Sequence, residues 1–174
     1  MLKIQSATQQ DAELILHFIK ELAIAEAFPF EVSVTKEALE RNLFGAEPAA
    51  QAIIFYVNNK ACGFAVFYYS FSTTTGKRGL HLDDLYIQPE YQGQGFGKQV
   101  LVYLSKLAIE EECARFEWWA LNTNVSAIKF YLGLGAKKLE EISVFRLDAL
   151  AIANLAKEAA NKSQTPLAYR IVCD

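Results

Sequence analysis

The sequence predicts an α/β chain, a mixed sheet flanked by helices. Three observations carry that expectation. The first half holds two apolar, aromatic-rich runs joined by an Asn58-Asn59 turn, the pattern of a β-hairpin. The second half alternates strand and helix patterns, which favours parallel pairing with a helix on each face of the sheet. No repeat, low-complexity region or linker interrupts the 174 residues, so a single domain over 1–174 is expected.

Each element follows in order. Residues 2–5 read as a short strand, and Thr8 with Asp11 then opens a helix through a capping pair. Leu14, Ile15, Phe18, Leu22 and Ala25 give that helix an apolar stripe, and Pro29 ends the region. Thr35 caps a second helix to about Phe44, which Gly45 and Pro48 break. The hairpin strands occupy 52–57 and 62–71. A polar stretch, 72–78, leads to a strand over 80–88 that Pro89 stops. The clearest helix spans 97–113, with Val100, Leu101, Leu104, Leu107 and Ala108 on one face. A strand at 116–121 and a helix at 124–134 closed by Gly135 come next. The tail reads as a strand at 144–147, an Ala-rich helix opened by Asp148, and a final segment at 166–173.

Composition removes several function classes. Lys and Arg number 17 against 20 Asp and Glu, a formal charge of −3, which is a poor footprint for nucleic-acid binding. The longest unbroken apolar runs have six residues, 52–57 and 64–69, whereas a membrane span needs about 20. Residues 1–5 turn polar too soon for an export signal, so a cytoplasmic location is expected. Cys62, Cys113 and Cys173 are odd in number and widely spaced, which fits reduced thiols and neither a disulfide framework nor a CxxC zinc pair. His17 and His81 are the two histidines, so no metal site is expected.

The stretch 89–98 reads PEYQGQGFGK. Glycines at 93, 95 and 97 let main chain approach a ligand closely, and the free amides and dipole of the following helix favour an anion, with a phosphate or pyrophosphate the natural occupant. A Walker A loop needs Gly where Gln92 stands and Ser or Thr where Gln99 stands, and a dinucleotide fingerprint needs a different glycine spacing directly after the strand. Taken alone, the three glycines equally fit a tight turn with a close helix contact.

Other residues decide between them. Gln92-x-x-Gly95-x-Gly97 resembles the acyl-CoA pyrophosphate loop of the GNAT superfamily of N-acetyltransferases. About 27 residues past it, NVSAIKFY at 124–131 with Gly135-Ala136 is similar to that family's Asn-to-Tyr segment. The segments IKELAIAE (19–26), GFAVFYY (63–69), LDDLYI (82–87) and RLD (146–148) resemble its diamine (spermidine/spermine) acetyltransferase branch in matching order. The likeness covers roughly 4–157, with a motif core at 80–136 and the tail 163–174 outside it.

This resemblance implies the GNAT fold, a strongly bent mixed sheet whose two central parallel strands splay apart to admit acetyl-CoA, and a homodimer. It implies that the backbone of Leu85, Tyr86 and Ile87 accepts the pantetheine arm. Gln92, Gly93, Gln94, Gly95, Phe96, Gly97 and Lys98 take the pyrophosphate. Asn124, with Ser126 and Ala127, reaches the pantetheine side. Tyr131, two helical turns after Asn124, protonates the departing thiolate, since a phenol of pKa about 10 keeps its proton at neutral pH. Without the Asn124 match, Tyr131 reads as a core aromatic.

An alkyl ammonium must lose a proton before it attacks, which needs a base or a water chain. Asp83 matches the branch's catalytic Glu, one methylene longer, so a bridging water fills the gap. Alternation along a strand sends Asp83 and Asp84 to opposite faces, making one functional and the other structural, and places His81 on the Asp83 face as a second candidate base. An ordinary half-buried strand residue is the competing reading of His81. Glu26 matches an acid that holds the distal ammonium, though an acid at a helix end also fits plain solvation. Trp118 and Trp119 alternate across their strand, one facing the core and the other a cleft or dimer contact.

The chain departs from the branch at 72–79, where hydroxyls replace an Asp and a Trp, and at Ser143, where a Glu is missing. Fewer carboxylates weaken attraction for a polycation. The expected activity is therefore direct acetyl transfer from acetyl-CoA to a primary amine of a small molecule, diamine-like or amino-acid-like. Alternatives are a protein or peptide N-acetyltransferase and a non-catalytic acyl-CoA-binding regulatory module.

Overall fold

The computed structural model describes residues 1–27 and 31–160, which form two compact units, one within 1–128 and the other from 129 onward. In the first unit Thr8 and Asp11 meet as their spacing predicts, with Asp11 Oδ2 accepting from the Thr8 amide at 2.7 Å and from its hydroxyl at 2.8 Å. A 3-10 turn at Gln9–Asp11 leads into α1 (Ala12–Ala25). Helix α2 (Lys36–Phe44) starts where Thr35 Oγ1 accepts from the Ala38 amide at 3.2 Å. Pro29, read as the end of the first helical region, lies outside the described residues.

Five strands form one sheet in chain order: β1 (Leu2–Ser6), β2 (Gln51–Val57), β3 (Lys60–Ser72), β4 (Lys77–Ile87) and β5 (Arg115–Trp118). Pairing is antiparallel through β4 and parallel between β4 and β5. Asn58 and Asn59 turn the hairpin with φ of 50° and 63°, a left-handed conformation Asn tolerates. The polar stretch 72–78 shrinks to a turn at 73–76, because both flanking strands extend into it.

One sheet face is covered by α1 and α2. Ile15, Phe18 and Leu22 pack against Ile54, Phe64, Val66 and Tyr86, with the Phe18 and Phe64 rings stacked at 5.9 Å. The opposite pleat buries Phe55, Phe67, Leu80 and Leu82, and α3 (Phe96–Glu110) contributes buried Val100, Leu101, Leu104 and Ala108. Gly63 is required by the spacing of β3 and β4: a Cβ there would collide with the Tyr86 carbonyl oxygen and stand 3.0 Å from Ile87 Cα. Gly63→Ala is therefore expected to destabilise the protein by at least ~1–3 kcal/mol, seen as a lowered urea midpoint.

Two features position the site. The β3–β4 register steps from Val66↔Asp84 to Phe67↔Leu82, leaving Asp83 as an extra residue in a β-bulge. The β4–β5 ladder runs only from Gly79↔Arg115 to Leu82↔Trp118. Past that point β4 continues to Ile87 with no strand beside it on that edge among the described residues, so the two strands part as the resemblance implies.

The sequence reading of the tail needs correction. Residues 144–147 form no strand, and Val144, Phe145 and Leu147 are exposed. A four-residue run has no strand character without a ladder partner. Consequently β5, expected to be central, is an edge strand among the described residues, and it stops at Trp118 rather than 121. Helix α4 (Val125–Gly133) is followed by Gly135 at φ +91°, the predicted terminator. In α5 (Ala149–Ala160) Asp148 Oδ1 accepts from the Ala151 amide at 2.8 Å, the predicted cap. The segments 166–173 and 163–174, with Cys173, lie outside the described residues.

Candidate active site

The free edge of β4 carries Leu85, Tyr86 and Ile87, the residues read as a backbone platform. Tyr86 turns its ring into the core, and its hydroxyl is pushed up in pKa by burial and by neighbouring Glu21. What this edge offers a ligand is main-chain donors and acceptors.

After β4 a 3-10 turn at Pro89–Tyr91 swings the chain into the glycine loop. Gly93 and Gly95 are left-handed, at φ +73° and +78°, and Gly97 lies in the first turn of α3. Gly95 is the residue capping α3, so no side chain occupies its N-terminus, and no acid stands in its first turn. The amides of Phe96, Gly97 and Lys98 are thereby left to an outside acceptor, with the positive end of the dipole behind them. That donor set fits a pyrophosphate. Gln92 and Gln94 hold the loop: Gln92 Nε2 donates to the Ile87 carbonyl at 2.7 Å, and Gln94 Nε2 to that of Glu90 at 3.1 Å. Gly95→Val forces a branched side chain into the left-handed region, strained by roughly 1–2 kcal/mol, and is expected to weaken acetyl-CoA binding at least about tenfold by calorimetry.

The acids are arranged differently from simple alternation. Because Asp83 is the extra residue of the bulge, Asp84 pairs with Val66 and His81 with Tyr68, which puts Asp84 and His81 together on the α1 face. The alternation argument that placed His81 on the Asp83 face is suspended for that reason, while the Asp83 charge still reaches Tyr68 beside His81. The expectation that Asp83 and Asp84 cannot serve one site is corrected too, because a bulge suspends the two-residue period. Asp83 is exposed and Asp84 half-buried. Burial pushes the Asp84 carboxyl up to about 7, and the charges of Asp83 and Glu26 act in the same direction. Glu26, directly after α1, thus stands near enough to Asp84 to be felt by it. Three carboxylates so gathered attract a cation, and the most enclosed is poised to exchange a proton near neutrality.

Asn124 ties into this group. Its Nδ2 donates to Glu26 Oε1 at 3.1 Å, while its Oδ1 accepts from the Ala127 amide at 3.1 Å and caps α4. The capping role was legible, since Asn before an apolar run is a helix-start signal; the link to Glu26, 98 positions away in sequence, was not. Ser126 is exposed in the first turn of α4. In the second unit Tyr131 is half-buried, with its ring 5.3 Å from that of Phe130.

A model of the acetyltransferase (GNAT) family matches residues 17–136, a span that takes in α1, the bulge, the glycine loop and the start of α4. The chain belongs to that family. As a GNAT protein it is an acetyltransferase. Its relatives include the thialysine N-epsilon-acetyltransferase of Sus scrofa, 31% identical over 164 residues that make up 88% of this chain and 96% of the relative. The spermidine/spermine N(1)-acetyltransferase-like protein 1 of Homo sapiens is 32% identical over 166 residues, 90% of this chain and 24% of that longer protein. An integron cassette protein from the mobile metagenome of V. cholerae superposes with a TM-score of 0.75 at 24% identity, covering 90% of this chain and 98% of that one, which shows the shared GNAT fold. Among the described residues no helix is long and apolar enough to cross a membrane.

The enclosure of Asp84 is what sequence reasoning did not foresee. Its signal was the Asp-Asp pair itself, which strict alternation divided into one functional and one structural member.

Proposed function

We propose that this chain acetylates a primary amine of a small dibasic molecule, of diamine or basic amino-acid type, by direct transfer from acetyl-CoA. The observation that carries the reading is the cluster that Glu26, directly after α1, forms with Asp83 and Asp84 on the strand that runs into the glycine loop. The relatives named for thialysine and for spermidine/spermine support the amine class.

Bound acetyl-CoA supplies an activated acyl carbon and a thiolate leaving group. The amides at the start of α3 hold its diphosphate, and the open β4 edge at Leu85, Tyr86 and Ile87 lies along its pantetheine arm, where a backbone N–H polarises the thioester carbonyl. Such a contact is commonly worth a few kcal/mol. Glu26 and Asp83 hold the incoming ammonium. Asp84 takes its proton, because a carboxyl near pKa 7 is both ionised enough to act and basic enough to accept at neutral pH. The freed amine attacks the carbonyl carbon, and Tyr131 returns a proton to the departing sulfur, a role that rests on the resemblance of 124–131.

Direct transfer is supported by the two thiols among the described residues. Burial raises the pKa of both Cys62 and Cys113, which leaves neither activated as a nucleophile. In this reading the protein acts as a cytoplasmic homodimer of single-domain chains, as the family resemblance implies. The reading is tested by following CoA release across a panel of monoamines, diamines, amino acids and peptides. Turnover concentrated on small diamines or basic amino acids is expected. Turnover on peptides alone, or acetyl-CoA binding with no acceptor used, overturns it.

A further inference from the structure

His81 is 4% exposed, and its Nε2 has no hydrogen-bond partner. A buried polar atom left unpaired costs roughly 1–3 kcal/mol, so its persistence calls for an explanation. Two aromatic rings border it. Tyr68, its cross-strand neighbour on β3, stacks on the imidazole at 4.8 Å with 29° between planes, and Trp119 meets it edge-on at 4.9 Å and 73°. Trp119 lies just past the end of β5, where the strands part, and is 58% exposed, so its ring borders open solvent. The surroundings are acidic. Burial, then the charges of Asp83 and Glu117, raises the Tyr68 hydroxyl, which therefore stays protonated and neutral. Glu117 is partly offset by Arg115, 3.3 Å away, leaving Asp83 as the uncompensated charge. Asp84 lies on the same face three residues along the bulged strand, on the order of 10 Å away.

An unfilled imidazole acceptor between two rings, close to a carboxylate, has the chemistry of an ammonium seat. The nitrogen accepts an N–H bond, the rings shield it from water, and the acid sets the sign of the field. The separation from Asp84 suits a chain of a few methylenes.

We propose that His81, bordered by Tyr68 and Trp119, seats the second, non-reacting ammonium of the acceptor while the first is deprotonated at Asp84, and so selects two-headed amines over monoamines. This rests on the amine acetyltransferase reading above. It places the selecting group in the sheet, apart from the Glu26 and Asp83 contacts to the reacting ammonium.

The test compares 1,5-diaminopentane with pentylamine, acceptors that differ by the second nitrogen. His81→Phe keeps a ring against Tyr68 and removes the acceptor atom; His81→Gln returns a polar atom near the position of Nε2. The ratio of kcat/KM for the diamine to that for the monoamine is expected to fall at least about tenfold in His81→Phe, mainly through KM, and to recover in part in His81→Gln. A fall of both substrates by one factor, or an unchanged ratio, overturns the proposal by leaving His81 a structural residue. A second measurement needs no turnover. The protein has two histidines, so the Nε2 resonance of His81 can be followed by imidazole NMR as diaminopentane is added to protein free of acetyl-CoA. A saturable shift in wild type supports the seat, and none overturns it. Failure of the broader function reads differently, as absence of CoA release from wild type with every amine.

Discussion

Replacing Asp84 by Asn is expected to lower kcat/KM for an amine acceptor by roughly 10²–10⁴-fold, the range usual for removal of a general base. Asn keeps the size of the side chain and its place opposite Val66 on the pleat, so the loss reports the proton-accepting function and not the packing. The pH profile distinguishes this from a general weakening. With an acceptor whose amine titrates well above pH 9, wild-type kcat/KM climbs through a limb near pH 7 as the Asp84 carboxyl ionises, and the variant lacks that limb. Asp83→Asn is the comparison. If Asp83 were the base, its variant would lose the limb and Asp84→Asn would keep it.

The same substitution has a stability consequence of opposite sign. Folding raises the Asp84 carboxyl from the ordinary value of about 3.9 to about 7. Below pH 4 both states hold the proton and no penalty exists. As pH rises toward 7 the unfolded chain ionises while the folded protein does not, so stability is lost, and the loss is complete above pH 7. Asn never ionises and escapes it. Asp84→Asn is therefore expected to melt higher than wild type at pH 8.5, by on the order of a few kcal/mol in stability, with the gap closing at pH 4. Melting curves at the two pH values decide the matter; a gap independent of pH removes the burial argument for Asp84.

Tyr131→Phe carries the second large effect. It deletes one oxygen and keeps the ring that contacts Phe130. A phenol is protonated at neutral pH and can hand its proton to a leaving thiolate, whereas a phenyl ring cannot, so water must serve instead. Turnover is expected to fall about 10²-fold or more, with acetyl-CoA affinity by calorimetry retained. The loss belongs in kcat, because the proton moves only when the carbon–sulfur bond breaks. Partial rescue by an acyl donor with a more acidic thiol would identify thiolate departure as the step affected. An unchanged kcat takes Tyr131 out of the mechanism.

How much could be read in advance differed by feature. The capping pair Thr8-Asp11, the Thr35 and Asp148 caps, the Asn58-Asn59 turn and the Gly93–Gly95 loop were all legible, because each satisfies backbone hydrogen bonds or φ angles within a few residues. The strand at 144–147 was misread for the complementary reason. Its alternation of apolar residues resembles a strand, but a strand exists through its neighbour, and no local signal shows whether a neighbour arrives. The enclosure of Asp84 was not legible because period-two counting assumes an unbroken ladder, and the extra residue at Asp83 becomes visible only when β3 is laid beside β4.

Local chemistry along the chain was enough to determine most element types up to α4, the glycine loop at the head of α3 and the acidic pair on β4, since propensity, capping and turn geometry act over short spans. Only the folded sheet decided which acid is enclosed, that Glu26 and Asn124 meet across 98 positions, and that His81 lies buried with a nitrogen unspent. Those outcomes depend on strand register and on desolvation. Both are set by contacts between distant segments, and neither leaves a periodic trace in the order of the residues.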